Sequence, residues 1–520
     1  MSTISTGRVE ASDVVTAACA ARALVTAVLS PAESSGSVAD WAAALGGLQC
    51  LADVVAAAQD EAIVRLAAIE PVELETDEVV DTHRALGHVA LDAPAVVSGV
   101  LTISAVHAER RVRDAVRRAA DGPAGTDTCT GLGGLHAAMA EGRLDPYRAQ
   151  VVAHELEEAP AELAAGVVEA VAPWFVREDA PRLRRRVRRV LAAISPDLLR
   201  QRAVRARATS GLRRWVDELG VDTWLGTFPS EEACAAWAAI DALAQRYVED
   251  GTCAHVERAR GKALTDLVTS NASVEVRVQL VAPAEATDAP SAPAPVAVTP
   301  DDLVAVHGLH AGDPALVSRR WLAQVEAVDA PAGPVLHPAT GALLDADGGL
   351  ATDAYRPGTR LAALVRARDG HCRFPGCHVA ARFCDLDHVL AWPLGPTSSL
   401  NLVCLCRRHH RVKQRRGWSA RLGDDGRMTW TDPTGRTRQT TPVDHRGLVL
   451  PAAADLPPPP PRAPDARHSA LEFRLEHAVG ASPPPPRACR IEVRRPRWDV
   501  TVSGMHPPRP RPRPLGPPPF

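Results

Sequence analysis

The stretch from Cys372 to Lys413 interleaves two sets of residues whose types and spacing suit two kinds of metal chemistry. It runs Cys372-Arg-Phe-Pro-Gly-Cys377, then Asp387-His388, then Asn401, then Cys406-Arg-Arg-His409-His410-Arg-Val-Lys413. Cys372 and Cys377 flank a Pro375-Gly376 turn that can aim both sulfurs at one point. Cys406 and His409 are three apart, so on a helix they share a face. Together they form a closed Cys3His set, the pattern of a structural Zn²⁺ site that supplies much of the folding free energy of a small module. The blander reading, unrelated thiols in a cysteine-rich core, is weaker, because both pairs have ligand spacing and enclose one compact segment. Cys384 and Cys404 lack a paired spacing and read as small buried side chains.

The second set suits phosphodiester hydrolysis. His410 lies about 100° round a helix from His409, so the two imidazoles can serve different metals. Asp387 and His388 are neighbours on an expected strand and point to opposite sides of it. His388 is suited to be the general base. One hard divalent ion, Mg²⁺ or Mn²⁺, held by Asp387 and His410, would stabilise charge on the phosphate. Lys413 is one of two lysines among 59 Lys and Arg residues. A point charge facing phosphate would explain its retention one turn beyond His410, and chance explains it about as well. Neither an Asp-His nor a His-His pair means much alone; their co-occurrence with the cysteine knuckle and Asn401 carries the argument.

These residues resemble the HNH endonucleases of the ββα-metal fold. The resemblance covers about residues 366–418, with His388, Asn401 and His410 matching the three motif letters. It implies that His388 is the general base, that Asn401 fixes the hairpin loop presenting it, and that Asp387 and His410 hold the catalytic ion. The flanking Cys-Arg-Phe-Pro-Gly-Cys and Leu-Cys-Arg-Arg-His-His patterns look like an actinobacterial subgroup with a long helical amino-terminal domain of unknown function. One departure is the loop Leu394-Gly395-Pro396-Thr397, with a single glycine where that subgroup usually has two, which puts cleavage activity in question.

Charge and composition frame this segment. From Arg366 to Arg416, ten Arg or Lys stand against three Asp or Glu, a net +7 within a chain of formal charge −3. A basic island in an otherwise acidic chain points to a polyanionic partner there. Arg407, Arg408, Arg411, Lys413 and Arg415, on or just beyond the expected helix, are the candidate nucleic-acid contacts, with backbone binding and weak sequence specificity as the default. A second arginine cluster, Arg182 to Arg189, surrounds an apolar stripe and reads better as a solvated amphipathic face than as a DNA contact. Five of the eleven cysteines fall between Cys372 and Cys406, which is metal-site usage and not a disulfide framework. No run of eighteen apolar residues suggests a membrane span, and Glu10, Asp13 and Arg22 spoil a signal peptide. The expected location is cytoplasmic.

The chain of 520 residues, rich in Ala and poor in aromatics, is long enough for several domains. Residues 1–330 are expected to form a mainly helical region with a few strands. Trp41, Leu45, Leu48, Ala52 and Val55 fall at helical spacing, as do Leu183, Val187, Val190 and Leu191. Val274 to Leu280 alternates like one half-buried strand, 285–300 is an Ala/Pro linker, and 314–328 reads as a helix. A connecting hairpin around His337–Gly341 occupies 331–360. The zinc-stapled ββα module spans 361–435, with a short helix at 361–368 and a hairpin at 418–431. From 450 to 520 proline dominates, and a largely disordered tail is expected, with short ordered islands at 468–479 and 490–502.

The leading expectation is a metal-dependent DNA endonuclease acting on double-stranded DNA. Cutting both strands from one such site would require a homodimer or two successive nicks. The alternatives are a non-catalytic zinc-stabilised DNA-binding protein derived from a mobile-element nuclease, and an RNA-directed or toxin-type nuclease using the same site.

Overall fold

A computed structural model describes residues 10–28, 36–73, 79–123, 125–218, 221–270, 276–277, 280–283, 303–307, 314–323, 335–345, 348–445, 491–494 and 497–498. The chain is mainly helical with short strands and holds one Cys3His cluster among the described residues.

The first half is built from α1 (Ala11–Val28), α2 (Val38–Ala67), α3 (Ala93–Leu101), α4 (Ala105–Ala119), α5 (Gly133–Ala140), α6 (Pro146–Glu155), α7 (Ala161–Val171), α8 (Ala180–Ile194) and α9 (Pro196–Ala208). Their starts are legible chemistry. Ser37 and Asp40 form a reciprocal capping box on α2, and Ser104, Asp145 and Asp179 accept from the first turns of α4, α6 and α8. On α8, Leu183, Val187 and Leu191 recur at i, i+4 and are fully buried against Leu135, Val152, Val167 and Phe175. Burying each such leucine or valine contributes about 1.5–3 kcal/mol. Of the arginines of α8, Arg182, Arg184, Arg186 and Arg188 are paired within the chain, with Asp179, Glu155 and Glu178. Arg188 makes a two-bonded pair with Glu155 at 2.9 Å, and Arg186 pairs with Glu178 while stacking on Trp174.

α2 is helical as its spacing predicts, but only its carboxyl-terminal half packs, and every residue from 38 to 52 is exposed. Asp53, Ala57, Asp60, Ile63, Val64 and Ala67 are buried, whereas Trp41, Leu45 and Leu48 are exposed. Asp60 is buried with Arg118 at 2.8 Å and Arg111 at 3.1 Å. That pairing ties the carboxyl-terminal half of α2 to α4. By length and composition α2 is also the one described helix apolar enough to cross a membrane.

Two antiparallel hairpins, Ile69–Glu73 with Val79–His83 and Gly211–Glu218 with Val221–Thr227, interrupt the helices. α10 (Ser230–Glu249) and α11 (Val256–Ser270) then pair through Ala244, Cys253, Ala259 and Ala263. Of the strand expected at 274–280, residues 278–279 lie outside the described residues, and Val276–Arg277 and Leu280–Pro283 on either side of them are extended. Each pairs with a segment of the proline-rich tail, Arg497–Trp498 and Ile491–Arg494 respectively. The rest of the tail, like the linker at 285–300, lies outside the described residues.

The helix expected at 314–328 begins as a strand. Ala315–Ser318 pairs with Leu303–Val306, and only then does the short α12 (Arg319–Ala323) follow; 324–328 lie outside the described residues. Val304, Val306, Ala315 and Leu322 close a small core of their own, which favours the pleated start.

The second core surrounds the Cys3His cluster. α13 (Thr359–Asp369) leads to the cysteine knuckle. Asp385–His388 then pairs antiparallel with Leu402–Leu405, followed directly by α14 (Arg407–Lys413). A three-stranded meander, Ser419–Leu422, Met428–Thr431 and Thr437–Thr440, completes it. Phe374, Trp418, Met428 and Trp430 pack here with Leu361, Val365, Leu402 and Leu405. The packing continues past the expected boundaries at 361 and 435. The sheet continues to Thr440, Val443 N donates to Arg368 O, and His445 N donates to Gly341 O. Ala95, Val96 and Ala105 of α3 and α4 belong to the same core, and the 335–344 hairpin packs through Leu336 and Leu343 on Leu364 and Ala367.

Candidate metal centres

One donor atom each from Cys372, Cys377, Cys406 and His409 lies within 4.8 Å of the others, and all four residues are buried. Cys406 sits at the amino-terminal end of α14 and His409 one turn on, while the 372–377 turn brings its two thiols up from the other side. His409 Nδ1 is 3.5 Å from Cys372 Sγ and 3.3 Å from Cys406 Sγ. In a tetrahedral zinc site, sulfur and nitrogen donors stand roughly 3.5 Å apart, so Nδ1 is the matching ring nitrogen. Phe374 stacks on the His409 ring at 4.0 Å and 11°, fixing its plane.

Crowding against Cys372 drives the Cys377 thiol far above its ordinary value, while contacts from Cys372 and Cys377 pull Cys406 far below. Three such sulfurs cannot all ionise without a compensating dication. The donor set fits Zn²⁺. Cys404 is fully buried, with burial pushing its thiol up, and Cys384 is 6% exposed; neither joins the cluster.

Sequence spacing did not reveal the network beneath this cluster. Asp369 is fully buried and accepts from Arg368 Nε, Arg373 Nη1 and Cys404 N, each at 2.8 Å. Arg368 also donates to Leu402 O and Ser399 O, and Arg373 to Gly426 O and Thr440 O. The two guanidinium groups thereby stitch the hairpin, the meander and α13 together around the knuckle. Burial opposes ionisation of Asp369, but the Arg368 and Arg373 charges outweigh it and hold its carboxyl below the usual range.

The second candidate site lies on the other side of α14. Asp387 Oδ1 is 3.3 Å from His410 Nε2, and Asp387 Oδ2 accepts from Lys413 Nζ at 2.7 Å. Lys413 also donates to His388 O. Lys413, expected as a phosphate contact, thereby clasps α14 to the strand. Asp385, two residues before Asp387 and on the same strand face, contacts His410 Nδ1 at 3.4 Å and Arg407 Nε at 3.3 Å.

His388 points to the opposite face. Its Nε2 is 2.8 Å from Thr397 Oγ1, Tyr355 stacks over the ring at 5.4 Å, and the residue is 6% exposed. Burial holds its pKa below the ordinary imidazole value; the Asp387 charge opposes this and the Lys413 charge adds to it. Asn401 Oδ1 accepts from Leu390 N at 2.8 Å, and its Nδ2 donates to Leu390 O and Pro396 O at 2.9 Å. It closes the loop that precedes it. Gly395 is required there, because a Cβ would stand 2.5 Å from Asn401 Nδ2 and 2.7 Å from Leu390 O.

The basic island is less exposed than its charge count implies. Arg368 and Arg373 are buried, Arg408 pairs with Glu109, and Arg415 pairs with Glu70 at 3.1 Å. Of the candidate nucleic-acid contacts, Arg408 and Arg415 thus fasten α14 to the first half of the chain. Arg411 is exposed, and Arg407 is exposed apart from its contact with Asp385.

No family model matches the chain, and no solved structure matches it. A stretch of 160 residues is 42% identical to the uncharacterized protein Rv3776 of Mycobacterium tuberculosis, covering 30% of this chain and 29% of that one. A stretch of 89 residues is 53% identical to the uncharacterized protein Rv2100 of the same organism, covering 17% and 16% respectively. The matched regions thus span less than a third of either relative's length.

Proposed function

We propose that this chain is a metal-dependent DNA endonuclease whose HNH-type site lies on the Asp385–His388/Leu402–Leu405 hairpin and α14. The observation that carries the reading is the split of one strand. Asp387 turns to His410, with Oδ1 3.3 Å from Nε2, while His388 turns to the other face with its Nε2 committed to Thr397. A hairpin followed by a helix stapled by Cys3His is the arrangement the ββα-metal fold calls for.

Asp387 and His410 would hold one Mg²⁺ or Mn²⁺. Two cis ligands of an octahedral ion stand about 3 Å apart, so these two atoms fit. Such an ion supplies charge stabilisation to a phosphate and its departing oxygen. With Nε2 bonded to Thr397, Nδ1 of His388 is the nitrogen left to take a proton from an attacking water. The lowered pKa keeps that nitrogen unprotonated at neutral pH. Asn401 holds the loop that carries Thr397, and so acts on His388 through its orientation. Arg407 and Arg411 are the exposed charges of α14 offered to a DNA backbone.

The exposure of His388, 6% under the Tyr355 ring, favours a second reading, a zinc-stabilised DNA-binding protein without cleavage. Supercoiled-plasmid cleavage with Mg²⁺ or Mn²⁺ separates the two. Wild type should nick or cut the plasmid, and His388→Ala should lose about 10²–10⁴-fold in rate with zinc content unchanged. A zinc-loaded, DNA-binding wild type that leaves plasmid intact, whether sequence is random or chromosomal, would overturn the nuclease reading in favour of the second.

A further inference from the structure

His410 is gripped between two carboxylates on opposite edges of its ring. Asp385 Oδ2 lies 3.4 Å from Nδ1, and Asp387 Oδ1 lies 3.3 Å from Nε2. A carboxylate oxygen only accepts, so each contact needs either an N–H or a cation between the two atoms. A doubly protonated ring would donate to both edges but leave no nitrogen for a metal. The neutral imidazole, the form that can be a ligand, has one N–H and answers one edge. The other edge then sets a nitrogen lone pair against an oxygen lone pair, which is stable when a cation sits between them.

Two neighbours decide which edge is which. Asp385 Oδ2 meets hydrogen-bond geometry at Nδ1, whereas Asp387 Oδ1 stands at an ion-pair distance from Nε2. The Gln414 amide nitrogen, 3.3 Å from Nε2, can cap that lone pair until a cation displaces it. Asp387 has its second oxygen taken by Lys413 Nζ at 2.7 Å, so a single oxygen, Oδ1, faces Nε2. The proton therefore belongs on Nδ1, toward Asp385. Asp385 Oδ2 is also approached by Arg407 Nε at 3.3 Å, whose side chain is 80% exposed and so exerts a screened pull. Asp385 stands across the ring from the Nε2 edge and does not share an ion with Asp387 there.

We propose that Asp385 is the positioning carboxylate of the divalent-ion site. By accepting from Nδ1–H of His410 it fixes the ring plane and tautomer, leaving Nε2 beside Asp387 Oδ1 as the cation-binding edge. The inference rests on the reading that Asp387 and His410 hold the ion. A carboxylate behind a metal-bound histidine raises the basicity of the ligand nitrogen, and losing it typically costs 10–100-fold in metal affinity.

The test is Mn²⁺ binding to the zinc-loaded full chain, followed by the electron paramagnetic resonance signal of free Mn²⁺. Wild type should bind one Mn²⁺ that is lost in Asp387→Ala and His410→Ala. Asp385→Ala should weaken that binding 10–100-fold with zinc still at one per chain. Asp385→Asn, whose amide oxygen can still accept from Nδ1–H, should recover part of the loss. Three outcomes overturn the proposal: unchanged affinity in Asp385→Ala, a loss as complete as in Asp387→Ala, which would make Asp385 a direct ligand, or no recovery in Asp385→Asn. If wild type binds no Mn²⁺ that depends on His410, the ion assignment beneath the proposal fails, and this inference fails with it.

Discussion

Replacing Asp369 by Ala strands two guanidinium groups in the interior. Arg368 is 2% exposed and Arg373 0%, and each presently donates to Asp369 at 2.8 Å. Their remaining partners, Leu402 O, Ser399 O, Gly426 O and Thr440 O, satisfy N–H groups but carry no countercharge. The Cys404 N–H also loses its acceptor, two residues before Cys406 of the Cys3His cluster. Breaking a buried ion cluster by removing one partner typically costs about 3–5 kcal/mol, a large share of the roughly 5–15 kcal/mol that holds a domain folded. The assay is urea unfolding in saturating zinc, followed by tryptophan fluorescence. Trp430 is a suitable reporter because it is buried and donates to Arg373 O. The midpoint should fall by the equivalent of about 3–5 kcal/mol, whereas the exposed salt-bridge variant Asp197→Ala should shift it by no more than about 1 kcal/mol. A loss below about 1 kcal/mol for Asp369→Ala, on the scale of an exposed pair, would refute the argument that the cluster's charge balance holds the module together.

Zinc removal, by chelation or by Cys406→Ser, should abolish the near-ultraviolet signal of Trp418 and Trp430 while most far-ultraviolet helix signal survives, because the Leu135–Leu191 core contains none of the ligands. Calorimetry should resolve the two cores as separate transitions once zinc is gone. His445 is 1% exposed, and burial with the neighbouring His307 ring lowers its pKa to about 3. Between pH 6.5 and 3 the unfolded chain takes up a proton there that the folded chain does not. Stability contributed by the neutral ring is therefore present above about pH 6.5 and declines on acidification by up to about 1.4 kcal/mol per pH unit; His445→Leu should flatten that slope in acid-unfolding curves. Gly395→Ala should lower the thermal midpoint by the equivalent of about 1–3 kcal/mol, since its Cβ meets the Leu390 carbonyl and the Asn401 amide. An unshifted midpoint would mean the loop relaxes freely.

What could be read from the sequence is what short spacing controls. Cys372/Cys377 and Cys406/His409 are local pairs, so their convergence with the hairpin was foreseeable, as was the division of Asp387 and His388 between two strand faces. Long-range partners were not. Nothing near Lys413 in the sequence reveals that its ammonium bonds to Asp387 and the His388 carbonyl, or that Arg408 and Arg415 meet Glu109 and Glu70 some three hundred residues earlier. The charge count of the basic island overstates its exposed charge for the same reason, because formal charge ignores burial and pairing. On α2, periodicity gave the helix but not the part of it that packs: the carboxyl-terminal half, with the Asp60–Arg118 pair, is buried, while the half carrying Trp41 and Leu45 is exposed on all sides. Thr397, Tyr355 and Asp385 carry no motif of their own and become visible once the loop and strand are folded.

The turn between Cys372 and Cys377 does more than present sulfurs. Gly376 O accepts from Ala105 N at the first turn of α4, a Cβ on Gly376 would stand 3.2 Å from Ser104 Cα, and Trp418 Nε1 donates to Asp92 Oδ2. The metal-binding segment and a stretch of chain some 270 residues upstream are thus one folded object. This limits how such a unit can be inherited. A recombination event that moved residues 359–445 alone to a new host protein would leave Phe374, Trp418 and the knuckle open to water, so a transferable version must carry the Asp92–Ala105 stretch or evolve a replacement for it. The long helical half and the metal module are expected to travel together through evolution, whatever the helical half does besides.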